Sequence, residues 1–181
     1  MIMIIRLAKI EEADEILKVY QSGGEFLPYT DVDEVKKSIK GNSDGKVSLI
    51  VVEFDEKIVG ALKLHRPQSH IGKGGKVAVL PEYGGKGIGK LLYKAAIKIF
   101  DMEGRRKVTD SIVGENPIAF KMFEKLGFEI EATMRKHTPG RKTLYQLAYH
   151  IDEKGIFDLG ENVKFEIPLT DYMISLKEKN K

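Results

Sequence analysis

Between Val77 and Leu92 the chain reads Val-Ala-Val-Leu-Pro-Glu-Tyr-Gly-Gly-Lys-Gly-Ile-Gly-Lys-Leu-Leu, and its glycines are the residues best placed to do chemistry. A short apolar run ends at Pro81 and an apolar stripe begins at Ile88, so the segment reads as strand, tight turn and helix start. Glycines in such a turn keep Cβ atoms away and let backbone N–H groups converge on an anion at the helix N-terminus. A phosphate-bearing ligand is the natural guest, while a glycine cluster also serves as a plain turn; the loop alone leaves both readings open. Gly84, Gly89 and Lys90 approach the nucleoside-triphosphatase loop Gly-x-x-x-x-Gly-Lys-Ser/Thr, but Leu91 has no hydroxyl for magnesium. The dinucleotide fingerprint Gly-x-Gly-x-x-Gly, begun at Gly85 and Gly87, fails at Lys90.

A second segment follows, Asn116-Pro-Ile-Ala119 and then Phe123-Glu-Lys-Leu-Gly-Phe128. In this order the two segments resemble the GNAT superfamily of N-acetyltransferases. Gly87 and Gly89 match the small positions of Arg/Gln-x-x-Gly-x-Gly/Ala, and Val79 and Pro81 match the strand end before it. The later segment is similar to Asn-x-x-Ala followed by Tyr-Glu-Lys-Leu-Gly-Phe. The resemblance runs from residue 2 to residue 151. It implies an α/β GNAT fold, a mixed, largely antiparallel twisted sheet of about seven strands flanked by helices. It further implies that the fourth and fifth strands splay apart around acetyl-CoA as cosubstrate. Backbone groups of Val77, Ala78 and Val79 would serve the pantetheine arm, like an added strand. N–H groups along Gly84, Gly85, Lys86, Gly87, Ile88, Gly89 and Lys90 would hold the pyrophosphate. Asn116 and Phe123 would approach the arm, and Asn116 is also a competent helix cap.

Acyl transfer needs an amine that loses a proton, a stabilised oxyanion and a thiolate that leaves, ideally protonated. The chain departs from the family at each usual side chain. Gly84 replaces the leading Arg/Gln, Phe123 replaces the tyrosine that protonates the thiolate, and Ser111 stands where a ribosomal-protein-type enzyme carries a glutamate base. Glu25, on the loop after the first helix, and Asp110, on the fifth strand, are the candidate bases; each also reads as an ordinary surface acid. His65, His70, His137 and His150 fit no metal-ligand spacing, and no metal is expected. Two function classes follow: acetyl transfer to a primary amine of a small molecule or a protein N-terminus, or an acyl-CoA-binding regulatory module without turnover. Glu25, Asp31, Asp33 and Glu34 would suit a cationic amine, although helix starts are acid-rich for dipole reasons too.

The elements that must position these residues follow from periodicity. Strands are expected at 2–7, 47–54, 58–65, 75–80 and 106–113, with a closing hairpin of 128–136 and 142–151. Helices are expected from Ile10 to Tyr20, from Asp31 to near Gly41, from Ile88 and from Asn116 to Gly127, while 22–30 and 66–74 read as loops. Ile118, Ala119, Met122, Phe123 and Leu126 form the expected buried stripe of the fourth helix. Residues 1–151 make one domain, and 152–181 an appendage of strand and helix that reads as the cover of an exposed edge or apolar patch, with a substrate lid or dimer arm as the alternative. Of 181 residues, 42% are hydrophobic and 31% charged, with net charge +3 from 30 basic and 27 acidic side chains spread along the chain. That mixture suits a soluble monomer or homodimer and gives no nucleic-acid footprint. The chain has no cysteine, which removes disulfides and thiolate ligands. The opening Met1-Ile-Met-Ile-Ile5 is too short for a signal peptide, and no run approaches bilayer length, so no membrane and a cytoplasmic location are expected.

Overall fold

The computed structural model describes residues 2–23, 31–44 and 47–181. Strands are β1 (Met3–Leu7), β2 (Val47–Phe54), β3 (Lys57–Gln68), β4 (Ile71–Val79), β5 (Lys107–Val113), β6 (Glu129–Met134), β7 (Leu144–His150) and β8 (Val163–Phe165). Helices are α1 (Ala13–Gln21), α2 (Val32–Asp44), α3 (Ile88–Met102), α4 (Pro117–Lys125), α5 (Ile151–Lys154) and α6 (Asp171–Lys179). The strands form one open α/β sheet in the order β6-β7-β5-β4-β3-β2-β1-β8. Among the described residues only β4–β5 and β1–β8 pair in parallel; the other pairs are antiparallel.

The central strands are apolar on both sides because helices cover both. In β2, Leu49 and Val51 enter a core shared with Ala13, Ile16 and Val19 of α1 and Val35 and Ile39 of α2. Ile50 and Val52 face the opposite core, with Leu92, Ala96 and Ile99 of α3 and Phe123 of α4. Period-two alternation therefore decides which helix layer each residue meets.

Residues 66–74 correct the expectation of a loop: β3 runs to Gln68, turns at Ser69–His70 and returns as β4 from Ile71. The glycines that read as loop are spaces for aromatic rings of α3. A Cβ at Gly72 would lie 2.4 Å from the Phe100 ring, and one at Gly74 2.6 Å from Cε1 of Tyr93. Arg105 secures the turn between these strands. Its Nη1 donates to the carbonyls of Gln68, Ser69 (2.9 Å) and Ile71 (3.3 Å). Glu103, itself buried, holds both Arg105 (Nε–Oε2 2.5 Å) and Arg66 (Nη2–Oε1 2.6 Å).

The last residues lie against this frame. β8 pairs with β1, from Met3↔Val163 to Ile5↔Phe165, so β1 is not left as an open edge. The Thr170 hydroxyl caps α6 by accepting Met173 N–H at 3.2 Å, and Met173 is buried. Asn180 Nδ2 donates to Ser69 O at 2.8 Å, tying α6 to the β3–β4 turn. Removing the carboxylate between Arg66 and Arg105 leaves two buried guanidinium groups without their shared partner. Glu103→Ala is expected to lose about 3–5 kcal/mol in urea unfolding; a midpoint within error of the wild type would contradict this role.

Candidate active site

β4 and β5 pair only from Ile71↔Lys107 to Lys73↔Thr109. Beyond that point β5 continues with β7 to Val113↔Leu144, and β4 continues with β3 to Val79↔Gly60. The two neighbours part as a fork. On β4 the register with β3 shifts between Leu62 and Lys63, opposite Val77 and Gly75, and the residue passed over, Lys76, sits at φ +55°. Such a bulge bends a strand away from its neighbour.

The fork leaves backbone groups open. Leu80 N–H donates to Val59 O of β3 at 2.9 Å. Two-residue alternation then turns Ala78 N–H toward β3, and the N–H groups of Val79 and Val77 toward the side that β5 has vacated. A cleft of about 410 Å³ lies there, lined along its strand side by Val77, Ala78 and Val79. Gly84, Gly85, Gly87, Ile88, Gly89 and Lys90 line its next wall. Gly85 and Gly87 have φ of +73° and +83°, which side chains resist. Gly87 is the N-cap of α3 and supplies no capping side chain, so the N–H groups of the first turn face the cleft uncapped. Gly89 serves packing: a Cβ there would lie 3.1 Å from Met122 Sδ. Lys86 rests over the Tyr83 ring at 4.9 Å.

The third wall is α4, which periodicity misassigned in part. Ile118, expected in the buried stripe, is 83% exposed and lines the cleft with Lys121, Met122 and Lys125. The spacing of 118, 121, 122 and 125 is that of one helix face, so the signal was present but read as core. Tyr83 is a further lining residue that sequence reasoning did not pick. Phe123 does not line the cleft. It is buried, edge-on to Tyr93 at 4.8 Å and to Phe128 at 5.0 Å. Asn116 accepts Ala119 N–H at 3.1 Å as the N-cap of α4.

Of the two candidate bases, Glu25 lies outside the described residues. Asp110 lies on the α3 side of β5, buried, where its Oδ2 accepts a hydrogen bond from the Tyr93 hydroxyl and its Oδ1 accepts Ser111 N–H at 2.6 Å. Burial pushes its carboxyl up to about 7, against the opposing pull of those two donors and of Lys73. Tyr93 is raised well above its ordinary value, by burial first and then by Asp110. Leu62 and Leu64 pack toward α3, so Lys63 and His65 face the other side of the sheet. Burial, then Lys63, Lys73, Lys76 and Arg66, push His65 down to about 4. Asp31 spends its carboxylate on the α2 start, where Oδ1 accepts Glu34 N–H at 2.9 Å. His150, Asp152 and Glu153 bring ligand-type atoms within 4.8 Å of one another, but they are not among the cleft residues.

A forked parallel pair, with uncapped helix N–H groups beside the open strand, is an arrangement for an anion joined to an extended amide-bearing arm. A model of the acetyltransferase (GNAT) family matches residues 11–128, more than half of the sequence. The chain belongs to that family and is an acetyltransferase. Acetyltransferase SG1711 of Sodalis glossinidius (strain morsitans) is 23% identical over 130 residues, 71% of this chain and 89% of that protein. The structure of yncA from Salmonella typhimurium with its cofactor acetyl-CoA is similar at TM-score 0.72 and 20% identity, covering 86% of this chain and 98% of the other. The ribosomal-protein-S18-alanine N-acetyltransferase of Escherichia coli is similar at TM-score 0.69 and 19% identity, covering 90% and 99%. At these identities the two structures share the fold. No helix among the described residues is long and apolar enough to cross a membrane.

A carboxyl raised by folding favours the native state while protonated, and that stability is lost as pH rises from its ordinary 3.8 through about 7. Asp110→Asn keeps an acceptor for Tyr93 and removes the titration. The melting temperature of the wild type minus that of Asp110→Asn is expected to fall between about pH 4 and 7 and level off above. A difference that stays flat across this window would contradict the buried, elevated carboxyl.

Proposed function

We propose that this acetyltransferase moves the acetyl group of acetyl-CoA to a primary amine, of a small molecule or of a protein N-terminus, by direct transfer with both substrates bound. The observation that carries the reading is the fork, with the N–H groups of Val77 and Val79 open on the same cleft as the uncapped start of α3. Bound acetyl-CoA supplies an acyl group activated as a thioester. The N–H groups of Ile88, Gly89 and Lys90 attract the pyrophosphate through fixed dipoles, and glycines at 85 and 87 let it approach the backbone. Lys90, Lys121 and Lys125 add charge along the cleft for the remaining phosphate.

Val77 and Val79 would pair with the amides of the arm as a neighbouring strand does, and a strand N–H aimed at the thioester oxygen would stabilise its developing charge. The acceptor would come from the opposite face of the sheet, where β3 presents Lys63 and His65. The Escherichia coli neighbour is by name an enzyme of an alanine on a ribosomal protein, which supports an amine acceptor here without choosing between protein and small molecule. The absence of a hydroxyl on Phe123 favours one rival, a module that binds acyl-CoA without turnover.

Thiol release from acetyl-CoA over a panel of polyamines, amino acids and peptide N-termini separates the two readings. Transfer to at least one amine is expected, with CoA raising the melting temperature by mass action. Gly87→Glu would put a side chain at φ +83° and a negative charge among the phosphate donors, so CoA-dependent stabilisation should vanish while circular dichroism stays native. Binding without release on every acceptor would favour the module. Undiminished CoA binding in a folded Gly87→Glu would overturn the cofactor site.

A further inference from the structure

We propose that the acceptor of this acetyltransferase is an amine that also carries an anionic group, a carboxylate or a phosphate, held by Lys63, Lys73 and Lys76 on the α1–α2 face of the sheet beside the fork. The proposal deepens the acetyl-transfer reading and rests on it.

Access is the first argument. On the α3 side, Tyr93, Phe123 and Phe128 pack as a buried ring cluster, and α4 borders the cleft assigned to the cofactor. An amine therefore meets the acyl group from the other face. Register says which side chains wait there. Lys63↔Gly75 and His65↔Lys73 are partner pairs, and residues directly opposite each other project to one side of a sheet. Leu62 and Leu64 enter the α3 core, so Lys63, His65, Lys73 and Gly75 share the opposite side. The His65 ring lies over Gly75, 3.8 Å from where a Cβ would sit. Lys76 joins Gly75 to Val77, the innermost β4 residue of the cleft wall, so the cluster stands beside the inner end of the cleft. Lys73 is exposed, and Lys63, His65, Gly75 and Lys76 are half-buried; a solute can reach all of them.

Charge is the second argument. Among the described residues, each charged group that acts on His65 is a cation: Lys63, Lys73, Lys76 and, last, Arg66. Arg66 already spends its charge on Glu103, at 2.6 Å. Lys63 is lowered by burial first and then by Lys76, with Glu34 of α2 opposing and Lys37 of the same helix adding to the shift. Asp31, at the start of α2, is occupied as its cap. Elsewhere on the sheet lysines find carboxylates, Lys107 at Glu131 and Lys154 at Glu129. Like charges gathered where burial already penalises them cost free energy, and an anion seated among them recovers it.

The same charges serve the reaction. Cations beside an ammonium group favour its neutral form, and the neutral amine is the form that attacks an acyl carbon. A simple ammonium would be repelled, whereas one tethered to its own carboxylate or phosphate is drawn in. His65, neutral in this setting, adds no repulsion. The bonds are those of the transfer itself. Nitrogen bonds to the acyl carbon and sulfur leaves with its electron pair. The proton that nitrogen sheds to solvent balances the one that the thiolate takes from solvent.

The test compares amines of similar size and different charge, with rates expressed per free amine. β-Alanine and phosphoethanolamine are set against ethanolamine and putrescine, and an acidic peptide against a basic one. At low ionic strength the anionic amines should lead by about tenfold in kcat/KM, the sum of a few partly exposed charge pairs. The lead should shrink in about 1 M salt, where screening acts within about 3 Å. Lys73→Gln should cut it by about fivefold, the upper range for one such pair. Lys73→Glu should turn the preference toward putrescine, with KM for acetyl-CoA within about twofold of wild type. The ring resonances of His65 in the CoA complex give a reading without turnover: β-alanine should shift them at concentrations where ethanolamine does not. A lead by the aminocarboxylate, the phosphate or the acidic peptide supports the proposal and identifies the anion. Preference for neutral or cationic amines, a preference unmoved in a folded Lys73→Glu, or equal responses of His65 to β-alanine and ethanolamine would overturn it. If CoA binds and no amine is acetylated, the transfer reading fails, and the His65 titration still decides whether an anion is held there.

Discussion

The parting of β4 from β5 is the constraint on which the remainder of the site depends. Two strands that leave each other inside a sheet expose N–H and C=O groups that buried backbone does not leave unpaired. The bulge at Lys76 directs β4 away while β3 holds its other edge, and β7 holds the far edge of β5 along its whole length. What remains is a slot with strand chemistry on one wall. An extended chain with alternating amide groups satisfies that wall as a missing strand would, and a helix start at its mouth supplies the complementary charge for phosphates.

Everything near the fork serves to keep it in register. Phe100 and Tyr93 fill the spaces above Gly72 and Gly74, which fixes α3 against β4 and thereby sets where its first turn points. Arg105 holds the carbonyls of the β3–β4 turn, and Glu103 locks Arg105 to Arg66 on β3. α6 reaches the same turn through Asn180, so the final residues brace the closed end of the fork as well as the edge of β1. The two faces of the sheet differ in chemistry. The α3 side presents amides and lysines to the cleft, whereas the opposite face carries His65, kept neutral by burial and by nearby cations.

Much of this was legible in the sequence where side-chain period or backbone demand leaves a trace. The glycine turn, the Val-x-Pro strand end, the Asn116 cap and the stripe of α3 all have positional meanings that one sequence reveals. The segment 66–74 was not legible, because Gly72 and Gly74 are the same letters whether they mark a loop or make room for rings arriving from α3. Ile118 was misread for a related reason: an apolar residue on the right helical face looks like core until the cleft beside it is seen. Phe123 matched its motif, yet its position in the core rather than on the cleft depends on packing with Tyr93 and Phe128. The hydrogen bond from Tyr93 to Asp110 joins residues from different elements, and nothing in their local sequence announces it. Glu25 lies outside the described residues.

The central claim is that open β4 amides take the cofactor arm as a substitute for β5. Hydrogen exchange of individual amides, with and without CoA, tests it directly. Val77 and Val79 should exchange more slowly when CoA is bound, together with the first-turn amides of α3, while Ala78, turned toward β3, should change little. Unaltered exchange at Val77 and Val79 under saturating CoA would contradict the account.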